Sequence, residues 1–189
     1  MEVVYGLAAA AVLVLLATLG VLAWRRHVAA RALLDKIESV AAAHLRDVLL
    51  PDGSGGWFHV DFLLLTAMGL LVIDLRDLPG LIFGSEQMTE WTVMQKHRRF
   101  TFPNPLGPLY DRMAVVRSLA GEGVPVDGRV VFMDRATFPK GHPPAVTRLT
   151  SLVSEVPALG GGSDLLIERL RPAFERIRAA SSPSPLRRR

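Results

Sequence analysis

Two carboxylates and a guanidinium stand in "HVDFLLLTAMGLLVIDLR", residues 59–76, among residues that favour burial. The apolar runs on either side of "TAMG" predict two strands, roughly 57–65 and 70–76, joined by a tight turn. If Leu65 faces Leu70 across that turn, Asp61 faces Asp74 and His59 faces Arg76. Side-chain alternation then groups His59, Asp61, Leu63 and Leu65 with Leu70, Val72, Asp74 and Arg76 on one face. Directly opposed Cβ atoms are only ~4.5–5.5 Å apart. Two ionised carboxylates at that distance repel, so a shared proton, a bound cation or a basic side chain must offset them. Mg²⁺ is commonly held by one or two carboxylates with waters and phosphate oxygens. Arg76 is the other offset, and spacing leaves both open.

Other elements must position these groups. "AARALLDKIESVAAAHLRDVL", residues 29–49, has helical spacing, with Leu33, Leu34, Ile37, Val40, Ala41 and Leu45 on one stripe. "LPDGSGG" stops it. After the hairpin, "PGLIFG" predicts a third short strand and "EWTVMQKHRRFTF" a fourth, more exposed one. "PNPLG" breaks the sheet, and "LYDRMAVVRSLAG" predicts a helix ending at Gly121 or Gly123. "RVVFMD", residues 129–134, reads as a buried strand. A proline-rich loop, an amphipathic helix containing Pro172 and a tail expected to be disordered complete the chain. The order is helix, three or four strands, helix, strand: a mixed α/β fold.

The 189 residues contain no cysteine, which excludes disulfides, thiolate nucleophiles and cysteine-ligated metals. The formal charge of +4 is modest, and the C-terminal "RRR" supplies part of it. From Val3 to Trp24 there are 22 residues without a charge. As a helix rising ~1.5 Å per residue, that run matches a hydrocarbon core of ~30 Å. Arg25, Arg26 and Arg31 follow it, so the positive-inside rule predicts a single-pass anchor with the C-terminal domain in the cytoplasm. A cleaved signal peptide would want a basic start and a shorter apolar run.

The stretch "IESVAAAHLRDVLLPDGSGGWFHVDFLLLTAMGLLVIDLRDLPGLIFG", followed by Trp91 and "RRFTFPNPL", resembles the nuclease-related domain, or NERD, family over roughly residues 35–134. Spacing agrees as well as residue type, including the thirteen positions from Asp61 to Asp74. The resemblance implies a PD-(D/E)xK nuclease-like, restriction-endonuclease-like mixed sheet behind the membrane helix. It casts Glu38 as the helix acid, Asp61 as the metal-binding aspartate, Asp74 as the D/E of the D/E-x-K motif, and Arg76 in the lysine's place. It implies Mg²⁺ or Mn²⁺ on Asp61 and Asp74 in an active member, nucleic acid as partner, and metal-assisted phosphodiester hydrolysis. Three positions depart from the family pattern: Arg76 for lysine, Pro108 for glutamine and Ile37 for glycine. An arginine keeps its proton and cannot take one from water. The alternative is therefore a catalytically inactive, membrane-tethered module of the same fold that binds nucleic acid or protein.

The expected organisation is an anchor with its basic flank at 1–27, a nuclease-related core at 28–135, a proline-rich loop and helix at 136–180, and a basic tail at 181–189. Of the remaining polar features, "KHRRF", residues 96–100, reads either as a phosphate-contacting run or as an edge strand protected by charge. Asn104 and Pro105 predict a turn and a helix start. "LGGGS" lacks the lysine and the strand-to-helix context of a phosphate loop.

Overall fold

The computed structural model describes residues 41–155 and 164–185, together with 18, 20, 21, 32 and 35–38. The chain divides into two units, Met1–Lys36 and Ile37–Arg189. The described residues of the first unit are helical. The anchor predicted over residues 3–24 lies almost entirely outside the described residues. Among those described, no helix is long and apolar enough to cross a membrane.

In the second unit, helical spacing over 29–49 gives way to sheet. Residues 35–38 are helical, but Ala43–Pro51 forms strand β1, antiparallel to β2, Trp57–Thr66. The apolar positions of "HLRDVLL" suit both periods, and pairing with β2 decides between them. The "PDGSGG" stop becomes a hairpin turn. Asp52 Oδ1 accepts from the N–H groups of Ser54 and Gly56, both at 2.8 Å, and Pro51 pairs with Trp57.

Strand β3, Gly69–Arg76, returns from β2 in the predicted register, with Leu65 facing Leu70 and Phe62 facing Ile73. No bulge shifts it. Gly69 makes the turn possible: its φ is 136°, and a Cβ there would stand 2.4 Å from the Pro125 carbonyl oxygen. Thr66 Oγ1 closes the loop by donating to Gly69 O at 2.8 Å.

The segments predicted as the third and fourth strands belong to a second sheet. Gly80–Phe83 is β4, and "EWTVMQKHRRFTF" folds into a hairpin, β5 (Glu90–Gln95) and β6 (Arg98–Pro103). Its two-residue turn is Lys96–His97, with Lys96 at φ 49°. Helix α1, Leu106–Ala120, follows and ends at Gly121, as predicted. It buries Leu106, Leu109, Met113, Val116 and Ala120 on one stripe. Strand β7, Val126–Phe132, then runs parallel to β3. The proline-rich loop carries two short strands, β8 (Ala136–Thr137) and β9 (Val146–Arg148), and leads into α2, Leu149–Glu155. Helix α3, Asp164–Ala180, continues through Pro172. The start of the tail is ordered rather than disordered: Ser182–Pro183 forms β10 on the edge of β1. The sheet orders are β10-β1-β2-β3-β7-β9 and β6-β5-β4-β8.

The larger sheet, α1 and α3 enclose the core, in which Leu63, Leu65, Leu70, Val72, Val130 and Phe174 are almost wholly buried. Each such side chain contributes roughly 1.5–3 kcal/mol of hydrophobic stabilisation. Trp91 links the second sheet to the first. Its fully buried ring stacks on Phe132 (6.3 Å, 11°) and meets Phe102 edge-on, while Nε1 donates to Ser85 O at 3.1 Å.

Candidate functional site

Strand β2 parts from β3 just beyond Phe62↔Ile73, whereas β3 stays paired with β7 as far as Arg76↔Phe132. The predicted pair Asp61 and Asp74 is next in line, and the ladder ends there. Asp61 Oδ2 accepts the Leu75 amide at 2.8 Å, giving that backbone N–H a side-chain partner. The phase of the alternation changes at the same place. Val60 and Leu63, three residues apart, both enter one core, and on β1 Leu45 packs against the same core as Val48, three residues on. Asp47, between those two, has φ 57°. The single face expected to run from His59 to Leu65 is thus corrected: the alternation shifts phase at Asp47 and Asp61, where the β2–β3 ladder ends.

Asp74 is 2 % exposed. Its Oδ2 accepts from Arg76 Nη2 at 2.7 Å and lies 3.4 Å from Arg112 Nη1. Arg112 also spans the gap, donating from Nε to His59 O at 2.5 Å and from Nη1 to Pro108 O at 2.9 Å. Burial raises the Asp74 pKa above its ordinary value; the Arg76 and Arg112 charges oppose the rise and the Asp61 charge adds to it. Desolvation therefore outweighs the attraction of the ion pairs, a common balance for buried charges. Arg76 Nε is itself buried without a hydrogen-bond partner. Beside Asp61, His59 Nε2 lies 2.7 Å from Asp47 Oδ1, and His59 Nδ1 lies 3.7 Å from Asp61 Oδ1.

Glu38 does not join this group through any ion pair or hydrogen bond among the described residues. Its carboxylate lies 3.5 Å from His44 Nε2 and 3.6 Å from Arg46 Nη1, both on β1. Ile37, where the family has glycine, is fully buried and packs as a core residue.

Two residues of the site were missed by sequence reasoning. Arg112 lies 38 positions from Asp74, and only the docking of α1 brings them together. A signal existed: Arg112 follows Pro108 by one helical turn, so both project on one side of α1. Asp47 was missed because its segment read as helix. Pro108 itself is comfortable. It occupies the first turn, where backbone N–H groups have no helical acceptor, and the first helical bond runs from Leu109 N to Pro105 O. Asn104 anchors that start, with Oδ1 accepting from Leu106 N and Nδ2 donating to Met88 O at 2.7 Å.

The donor set does not suit a divalent cation. One carboxylate is engaged by two guanidiniums, the other by a backbone amide, and the cationic groups would repel the ion. Among the described residues, no three His, Asp or Glu side chains come together as a metal-holding group. What the arrangement offers is a cleft of about 600 Å³ walled by Arg76, Arg112, Phe102, Asn104, Pro105 and Pro108. Guanidiniums on such a wall suit a phosphate oxyanion, which they can meet with paired hydrogen bonds. Asp77, also on the wall, is neutralised by Arg135 at 2.8 Å.

No curated protein and no solved structure matches the chain. The nuclease-related domain does match, over residues 24–133, more than half of the sequence, with Asp61, Asp74, Arg76 and Arg112 inside it. The hairpin with Asp61 and Asp74, the buried Trp91 and the Asn104–Pro105 helix start all lie inside that span, and the chain belongs to the NERD, or nuclease-related domain, family.

Proposed function

We propose that this chain is a nuclease-fold module with a silent centre, which holds nucleic-acid phosphate at the Arg76–Arg112 cleft without hydrolysing it. One observation carries the reading: Asp74 Oδ2 is bound by guanidiniums where metal-dependent hydrolysis would need a free carboxylate. Arg76 can stabilise an anion, and a guanidinium is not a base that takes a proton from water. Family membership supports nucleic acid as the partner class. The uncharged run at 3–24 and the arginines after it support a module tethered to a membrane, with its folded part on the cytoplasmic side.

The test uses the detergent-solubilised full chain with labelled single- and double-stranded DNA and RNA, in Mg²⁺ or Mn²⁺. The expected result is a retarded band with intact substrate, and weaker retardation by Arg112→Gln. Cleavage that depends on Asp61 and on the added metal would establish the enzyme instead. For the tether, a C-terminal reporter active only outside the cytoplasm would refute the orientation.

A further inference from the structure

The β5–β6 hairpin carries a feature that the cleft does not use. Lys96, His97, Arg98 and Arg99 are consecutive and all exposed, and none makes an ion pair among the described residues. Charge protection of an edge strand explains Arg98 and Arg99, since β6 is the edge of its sheet. It does not explain Lys96, which occupies the turn at φ 49°, a conformation that favours asparagine or glycine. Nor does it explain the neighbouring apolar surface.

Alternation along β5 buries Trp91 and Val93 and turns Met94 outward; on β4 it buries Ile82 and turns Leu81 outward. Leu81 faces Met94, and Met94 faces Arg99, so one cross-strand row runs from aliphatic to cationic. Leu81 and Met94 are each 42 % exposed. Beside them is an open recess of about 580 Å³, lined by Leu81, Met94, Gln95, Lys96, His97 and Arg98 and by no carboxylate.

We infer that this hairpin is a docking surface for an anionic lipid bilayer, with the basic turn among the headgroups and Leu81 and Met94 at the acyl boundary. Charge complementarity selects an anionic occupant. The outward aliphatic carbons of Leu81 and Met94 beside the cations favour a lipid boundary as the occupant. Each lysine or arginine near an anionic membrane is worth roughly a factor of five in affinity, so Lys96, Arg98 and Arg99 together give about a hundredfold.

The chain has no cysteine, so a Met94→Cys variant can be labelled with an environment-sensitive dye at one position. The labelled full chain is reconstituted in vesicles of phosphatidylcholine alone or with phosphatidylserine. The expected result is blue-shifted emission and several-fold lower access to an aqueous quencher in the anionic vesicles only, reversed by high salt. Adding Lys96→Glu, Arg98→Glu and Arg99→Glu should remove the response, and the corresponding glutamine set, less disruptive to the surface, should weaken it. Identical emission in both vesicle types would overturn the inference. So would a charge-reversed variant that still responds while its circular dichroism matches the parent. A larger shift with oligonucleotide than with anionic vesicles would overturn it in favour of a nucleic-acid surface.

Discussion

At Asp74 the cost of burying a carboxylate exceeds what its two guanidinium partners return, and the folded-state pKa lies above the ordinary 3.8. The folded chain therefore keeps the Asp74 proton where the unfolded chain has lost it. That contribution to stability is complete below about pH 3.8 and is lost as pH rises through the folded pKa. An Asp74→Asn variant lacks the titration, so the stability margin of the parent over the variant should shrink with rising pH. Urea midpoints for both proteins, from about pH 4 to about pH 7, check this, and a margin that grows would contradict it. Asp74→Ala is harsher because it leaves Arg76 and Arg112 without their shared partner. A loss of about 3–5 kcal/mol in urea unfolding is expected. At this scale the sequence was informative where the geometry is local. The register from Phe62↔Ile73 to Thr66↔Gly69 could be read because a two-residue turn fixes it. Arg112 and Asp47 could not, because one depends on how α1 docks and the other on a strand that shares its apolar spacing with a helix.

Among the elements, the β2–β3 turn is the least tolerant of change. Gly69→Ala would force a side chain into a left-handed backbone and against the Pro125 carbonyl. It should cost about 1–3 kcal/mol or more in urea unfolding. Loss of the tail acts differently. β10 caps the open edge of β1, with Ser184 N donating to Asp47 O at 2.9 Å. Truncation after Ser181 should speed hydrogen exchange at the outward amides of Asp47–Leu49 while leaving β3 and β7 amides protected. Equal acceleration in all three strands would show that the tail supports the whole sheet. Of the expected order of helix, three or four strands, helix and strand, the larger sheet keeps three strands, a helix and a strand, in β1, β2, β3, α1 and β7. That order was reached with β4 in place of β1. Short apolar strands are alike in composition, and partner choice is set by tertiary pairing.

For the whole molecule, family membership and mixed α/β architecture agree, and the second sheet hangs on Trp91 against Phe132. Two of the three departures expected from the resemblance, Arg76 and Pro108, line one cleft, whereas Ile37 packs in the core. Arg76 donates to Asp74, and Arg112, one turn beyond Pro108, reaches the same carboxylate. Together Arg76, Arg112 and Asp74 form a guanidinium–carboxylate cluster beside a cleft of about 600 Å³. The most direct check is Mn²⁺ binding to the solubilised full chain, followed by electron paramagnetic resonance of the free ion. No stoichiometric uptake is expected up to about millimolar Mn²⁺. One Mn²⁺ bound per chain, displaced by Mg²⁺ and lost in Asp61→Asn, would show that the carboxylates still belong to a metal and that the centre is not silent.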